Sequence, residues 1–170
     1  MLIVCDTNIW IDAALDDCSP ESKLLSACKE AKFRVAVSKH SLSELEAAQL
    51  KYGPAAFQLA NSYEVLPYYP VGTIKQLLGK ISELAGTLAD MKTSAERLKL
   101  LSSLAKRGTG LRDCGALIDS LYANAQVFVT CDRGMVGSMP KARIEQAFPI
   151  RIRTATEFLH EVSPAPAGEG

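Results

Sequence analysis

Four carboxylates occupy positions in the sequence from which they could act together. Asp6 directly follows the apolar run Leu2–Cys5, and Asp132 comes two residues after a β-rich run in the C-terminal half. Glu44 and Asp113 each fall in the first turns of a predicted helix. Gathering several carboxylates costs free energy through mutual repulsion and raised pKa values, unless a cation relieves it. Together the four residues indicate a metal centre, but each of them alone is also typical of a helix cap or a partner of the helix dipole, so the spacing leaves both interpretations open.

The residue types also indicate which metal and which reaction. Carboxylate oxygens as the only ligands favour Mg²⁺ or Mn²⁺ over zinc. Two such ions about 3.5–4 Å apart can activate a water and stabilise both the attacking and the leaving oxygen of a phosphodiester displacement, which is nuclease chemistry. Thr7, Asn8 and Thr130 are candidates for orienting a carboxylate, a water or a phosphate. Each is equally an ordinary helix cap or strand end, so both interpretations stay open.

Five short β-rich runs alternate with helical segments along the chain, at residues 2–5, 33–37, 63–66, 127–130 and 150–152. The first run is continuously apolar, as expected of a strand that is buried on both faces. Alternating strands and helices predict an α/β fold with a parallel sheet of about four to five strands, covered by helices on both sides. In such sheets ligand sites form at the carboxyl ends of the strands, which is where Asp6 and Asp132 stand.

Helices are predicted at residues 8–15, 22–32, 55–61, 111–125 and 141–147, and two more carry cap signals. The helix after the second strand can be capped by Ser38 or by Ser41, and Ser41-x-x-Glu44 has the form of a capping box. Thr154-x-x-Glu157 predicts the same device at the start of the closing helix.

Length and composition fit one domain. The chain has 170 residues, of which 48% are hydrophobic, enough for one substantial core. We expect a single domain over 1–162 with a helical arm at about 72–106, where leucines recur at spacings of three and four. The arm could close over the site, direct an RNA strand into it, or form a dimer surface. The simplest alternative is that its leucines pack into the core. The tail at 163–170, rich in Pro, Ala and Gly, is predicted to be disordered.

Charge and cysteine content limit the class of protein. The 19 Lys and Arg balance the 19 Asp and Glu, so there is no global basic field and nucleic-acid binding must be local. Lys39, Arg112 and Arg133 could contact phosphates, although scattered bases are usually solvated surface. Five cysteines without a CxxC pair indicate reduced thiols in a cytoplasm. The apolar N-terminal run is too short to span a membrane, so no membrane partner is expected.

Four motifs, in this order and at these spacings, resemble the PIN-domain nuclease family. They are DTNIWID from Asp6, SEL around Glu44, RD ending at Asp113 and VTCD ending at Asp132. The resemblance covers roughly residues 1–160. Its most specific parts are the strand followed by Asp-Thr-Asn and the Thr-x-Asp that follows a β-rich run.

The resemblance implies a PIN-like three-layer α/β/α sandwich in which the four acids take the places of the family's metal ligands: Asp6, Glu44, Asp113 and Asp132. In that family the metals serve cleavage of single-stranded or structured RNA. Many small bacterial members are toxins that an antitoxin protein neutralises. The expectations carried over are an endoribonuclease that depends on Mg²⁺ or Mn²⁺, an RNA substrate, and an antitoxin or a second copy of the chain as candidate partners.

Two other functions fit parts of the pattern. In an aspartyl-nucleophile phosphatase Asp6 would be phosphorylated beside Mg²⁺, but such enzymes usually carry a second Asp two residues on, where this chain has Asn8. In a binding module the acids would form a structural metal site, and the protein would bind RNA or a protein partner without catalysis. Replacing Asp6 by asparagine separates these functions, since an enzyme loses its effect and a scaffold keeps it.

Several nearby residues are predicted to stand outside the metal set. Asp119 lies six residues after Asp113, off its helix face, and is expected to be exposed or paired. His40 is expected to be a surface or capping residue, because two-metal chemistry needs no histidine. Cys5 and Cys131 each adjoin a proposed acid, but the alternation of a strand predicts that both thiols point into the core.

Overall fold

In the part of the chain that the structure describes, five parallel strands form the sheet: β1 (Leu2–Cys5), β2 (Arg34–Val37), β3 (Glu64–Val65), β4 (Val127–Val129) and β5 (Arg151–Arg153). The computed structural model describes residues 1–67 and 111–162, with the backbone alone for 111–114. Within these ranges the strand order is β3-β2-β1-β4-β5. The predicted arm at about 72–106 and the predicted disordered tail at 163–170 lie outside the described residues.

Helices cover both faces of the sheet, and those within the described ranges are α1 (Thr7–Leu15), α2 (Pro20–Glu30), α3 (Lys39–Tyr52), α4 (Ala55–Asn61), α5 (Leu111–Tyr122), α6 (Arg133–Val136), α7 (Ser138–Ala147) and α8 (Ala155–Val162). One core contains side chains of α1 to α4 and α8, and the other contains side chains of α5, α6 and α7. The predicted three-layer α/β/α arrangement is confirmed. None of these described helices combines the length and apolar character that a membrane span requires.

The central strand β1 contributes to both cores. Ile3 and Cys5 lie in the core shared with α1 and α2, whereas Leu2 and Val4 lie in the core shared with α5. All four residues are buried, which explains the continuous apolar run in the sequence. The strand order changes direction between β1 and β4, and ligand crevices open at such a switch point in parallel sheets.

The cap of α3 decides between the two serines proposed from the sequence. Ser38 is the cap, and its Oγ accepts the backbone N–H of Ser41 at 3.0 Å. The predicted capping box between Ser41 and Glu44 is wrong, because Glu44 lies a full turn beyond the position that a box requires. Its carboxylate is instead engaged by Thr7, from another helix.

The structure also contains helical segments that the sequence pattern did not indicate. The short α6 begins where Asp132 Oδ1 accepts the backbone N–H of Gly134 at 2.8 Å. Helix α7 begins at Ser138 rather than at residue 141. Pro140 does not prevent this, because the N–H groups of a first turn have no partner within the helix.

The predicted capping box at the start of α8 is confirmed. Thr154 N donates to Glu157 Oε2 at 2.9 Å, and Glu157 N donates to Thr154 Oγ1 at 3.2 Å. Lys141 Nζ lies 2.8 Å from Glu157 Oε1. The hydrogen bond from Lys141, followed by that from the Thr154 backbone, lowers the pKa of Glu157 below its ordinary value.

Replacing Glu157 by glutamine is expected to reduce the free energy of unfolding by about 0.5 kcal/mol, the scale of exposed ion pairs. A lowered folded pKa stabilises the protein above the ordinary glutamate range, and this contribution is lost as the pH falls through the lowered pKa. The difference between variant and wild type should therefore disappear in acid. Urea unfolding at neutral and acidic pH measures it, with the exposed Glu46→Gln as control. A difference that is independent of pH would contradict this account.

Candidate metal centre

A row of buried polar side chains lies along the carboxyl edge of the central strands. Asp6, Ser38 and Thr130 follow β1, β2 and β4, and only 2%, 0% and 0% of their surfaces are exposed. The register pairs Cys5 with both Val37 and Val129, so the three residues that come next lie side by side. Burying polar groups costs free energy unless they are hydrogen-bonded. The row therefore depends on hydrogen bonds among its members and their neighbours.

Asp6 occupies the middle of this row. Its Oδ1 accepts the backbone N–H of Thr7 at 2.8 Å, which caps α1, and the hydroxyl of Ser41 at 3.4 Å. Its Oδ2 accepts the hydroxyl of Thr130 at 2.8 Å. Because both oxygens are held by groups on three different segments, the carboxylate has a defined orientation.

Thr130 connects Asp6 to Asp132. The Oγ1 atom that donates to Asp6 also accepts the backbone N–H of Asp132 at 3.0 Å. Asp132 caps α6 with its Oδ1, while its Oδ2 is buried and has no hydrogen-bond partner among the described residues. A buried carboxylate oxygen without a donor is costly, and a cation is a partner that would relieve the cost.

Thr7 connects Asp6 to Glu44 in a similar way. Its backbone N–H donates to Asp6, and its Oγ1 donates to Glu44 Oε2 at 2.6 Å. Thr7 and Thr130 thus each contact two acids, and together they link Asp6, Glu44 and Asp132. Asn8 is exposed on α1, and no hydrogen bond within the described ranges joins it to these acids.

The three acids share one electrostatic environment. The pKa of Asp6 is raised above its ordinary value, first because the side chain is buried and further because Glu44 and Asp132 repel its charge. The hydrogen bonds from Thr130 and from the Thr7 backbone oppose this shift. A bound cation would remove the repulsion between the carboxylates.

Asp113 is the third residue of α5. Two residues further on, Gly115 packs directly against His40 in the first turn of α3. The beginning of α5 therefore adjoins the beginning of α3, the helix that carries Glu44. The structure thus brings Asp6, Glu44 and Asp132 together through hydrogen bonds, and it places the beginning of α5 against the beginning of α3.

Two polar residues near the site, Asp119 and His40, are both buried. Of the two alternatives expected for Asp119, exposed or paired, the structure shows the second: the residue is only 1% exposed, and its Oδ2 lies 3.9 Å from His40 Nε2. His40 is only 7% exposed and Ser38 is the cap of α3, so the expectation of a surface or capping residue is wrong for His40. The spacing of Gly115 and Asp119 by four residues on one helix could have indicated a shared face, but nothing in the sequence pointed to its partner.

A second group of possible ligands includes Cys131, which stands between Thr130 and Asp132 in the sequence. Within the described ranges, one ligand atom each of Asp12, Glu21 and Cys131 falls within 4.8 Å of the others. Cys131 is half-buried rather than in the core, unlike Cys5, and its Sγ donates to Glu21 Oε1 at 3.8 Å. Burial first, then the charges of Glu21 and Asp12, raise the pKa of Cys131 to about 11.

Among the described residues, the three carboxylates that are linked by Thr7 and Thr130 suit a hard cation. Asp6, Glu44 and Asp132 offer carboxylate oxygens, and the Asp132 oxygen without a described partner is available for ligation. Mg²⁺ and Mn²⁺ prefer such oxygen ligands. In comparisons with known proteins, no family model matches the chain, and no curated protein matches it.

Proposed function

We propose that the protein is a metal-dependent endoribonuclease that hydrolyses RNA phosphodiester bonds, as its resemblance to the PIN-domain nucleases implies. One observation carries the proposal furthest. Asp6 and Asp132 are joined through Thr130 at the switch point of a parallel sheet, and Asp132 keeps a buried oxygen without a hydrogen-bond partner in the described part of the chain. An arrangement that gathers buried charge without neutralising it favours a divalent cation.

In this proposal Asp6, Glu44, Asp113 and Asp132 hold Mg²⁺ or Mn²⁺. A cation bound there supplies Lewis-acid polarisation of a phosphodiester and lowers the pKa of an attacking water. The protein's own residues fix the carboxylates, since Thr7 and the hydroxyl of Thr130 hold Asp6 from two sides. Orienting the ligands in advance reduces the cost of bringing substrate and water into line.

Exposed basic residues near the same edge fit a polyanionic substrate. Lys39 is the first residue of α3, and Arg133 is the first residue of α6, directly after Asp132. Both are exposed, and each begins a helix that follows a strand of the sheet. Contacts from such residues to phosphates would supply affinity without sequence information, in keeping with a protein of zero net charge.

The choice of RNA, a neutralising antitoxin and a homodimer rest on the family resemblance alone. A phosphatase that uses Asp6 as nucleophile is less well supported, because such enzymes usually carry a second Asp two residues on, where this chain has Asn8. A cytoplasmic location rests on the unpaired cysteine pattern of the sequence.

The test is cleavage of a mixed single-stranded RNA by the full chain with Mg²⁺, with Mn²⁺ and with EDTA. The matched variants are Glu44→Gln and Glu46→Gln, which lie two residues apart on α3 and differ in that Thr7 binds only Glu44. We expect metal-dependent fragments from wild type and from Glu46→Gln, and a rate at least about tenfold lower from Glu44→Gln. RNA binding without cleavage in either metal would instead support a binding module.

A further inference from the structure

His40 is enclosed by one face of α5. A Cβ atom at Gly115 would lie 2.7 Å from His40 Nε2 and 2.8 Å from both Cδ2 and Cε1, so only glycine leaves room for the ring. One turn further along α5, Asp119 Oδ2 lies 3.9 Å from the same Nε2. The side chains of His40 and Asp119 are 8% and 0% exposed.

The spacing of Gly115 and Asp119 means that their contact with His40 limits how α5 can move against α3. Gly115 and Asp119 are four residues apart and therefore share one face of α5. A ring seated in the notch at Gly115 and beside the carboxylate of Asp119 restricts both the rotation of α5 and its sliding along α3. Interiors are packed too closely for such a contact to shift without cost.

The same contact lies between two helices that carry proposed ligands. His40 precedes Glu44 by four residues on α3, and Gly115 follows Asp113 by two residues on α5. We propose that His40, seated between Gly115 and Asp119, is a positioning residue that sets the first turn of α5, and with it Asp113, relative to Glu44 and Asp6. The inference rests on the proposed metal centre, although His40 itself touches neither metal nor substrate.

Affinity for Mn²⁺ tests the inference without relying on catalysis. We would titrate Mn²⁺ into the full chain by calorimetry and record thermal unfolding of each variant with and without the metal. The variants are His40→Ala, His40→Gln and Gly115→Ala, and the control is His160→Ala, since His160 is the other histidine of the chain and is exposed.

Misplacing one ligand-bearing helix should weaken Mn²⁺ binding about 10- to 100-fold in His40→Ala and Gly115→Ala. His40→Gln should recover part of the affinity, because the amide of a glutamine is able to donate a hydrogen bond to the carboxylate of Asp119. His160→Ala should bind Mn²⁺ like wild type.

Other outcomes have distinct meanings. If the His40 and Gly115 variants melt at lower temperature but bind Mn²⁺ as tightly as wild type, His40 is a core residue only and the inference is overturned. If His40→Ala does not fold, the same comparison is made with His40→Gln and Gly115→Ala. Wild type that binds Mn²⁺ but cleaves no RNA would overturn the proposed function and leave this comparison decisive, whereas wild type that binds no Mn²⁺ would overturn both.

Discussion

Replacing Asp6 by asparagine is expected to reduce metal-dependent RNA cleavage by at least about a hundredfold, because even the loss of a residue that only supports a ligand costs about 10- to 100-fold. Asp6 is the acid that contacts both linking threonines, and its charge interacts with those of Glu44 and Asp132. Asparagine keeps the shape and one carbonyl oxygen but removes the charge. The rise in melting temperature that Mn²⁺ gives wild type should disappear in the variant.

The same substitution should not destabilise the protein in EDTA. Since the folded pKa of Asp6 is raised, this group contributes stability below its ordinary pKa and loses that contribution as the pH rises through the raised value. The stability of Asp6→Asn relative to wild type should therefore increase across that window. Urea unfolding at several pH values measures the trend, and the exposed Asp17→Asn serves as control. Cleavage by Asp6→Asn at the wild-type rate would remove Asp6 from the site.

Replacing Thr130 by valine is expected to reduce the free energy of unfolding by about 2–4 kcal/mol, since each buried polar group that loses its partner costs about 1–3 kcal/mol. Valine preserves the branched shape but removes the hydroxyl that donates to Asp6 Oδ2 and accepts from Asp132 N. Such a loss is a large part of the roughly 5–15 kcal/mol that stabilises a typical domain. Cleavage should also fall by about 10- to 100-fold, because two carboxylates lose their shared support.

Two further variants separate the loss of the buried hydroxyl from the other consequences of replacing a threonine by valine. Thr130→Ser keeps the hydroxyl and should retain most of the stability and activity, whereas Thr156→Val changes an exposed threonine at the start of α8 and should alter neither. Urea unfolding in EDTA and the RNA cleavage assay provide the two measurements. If Thr130→Val were as stable and as active as Thr130→Ser, the hydroxyl would have no role in holding Asp6 and Asp132.

The sequence alone was sufficient to predict the layers of the fold. The apolar run Leu2–Cys5 predicted the central strand because a strand between two helical layers is buried on both faces. The box formed by Thr154 and Glu157 predicted the start of α8 because its partners lie within a single turn. Signals of this kind depend only on residues that are close together in the sequence, so they can be recognised without knowledge of the rest of the chain.

Local signals also located the acids at the edge of the sheet, but they could not decide what each acid contacts. Thr7 and Glu44 lie 37 residues apart, and Thr130 and Asp6 lie 124 apart. Strand register brings these residues together, and register depends on which strands become neighbours. The competition between Ser38 and Ser41 for the α3 cap was settled for the same reason, since Ser41 turns toward Asp6.

Only the tertiary structure decided the environment of His40 and Asp119. Each residue reads in the sequence as an ordinary polar position on a helix, and burial of a polar side chain becomes favourable only when a partner from another segment is supplied. That partner is created when Gly115 lets α5 approach α3 closely enough to enclose the ring. The sequence therefore determined the layers and the edge at which the acids stand, whereas the packing of α3 against α5 determined which of their polar residues became buried neighbours.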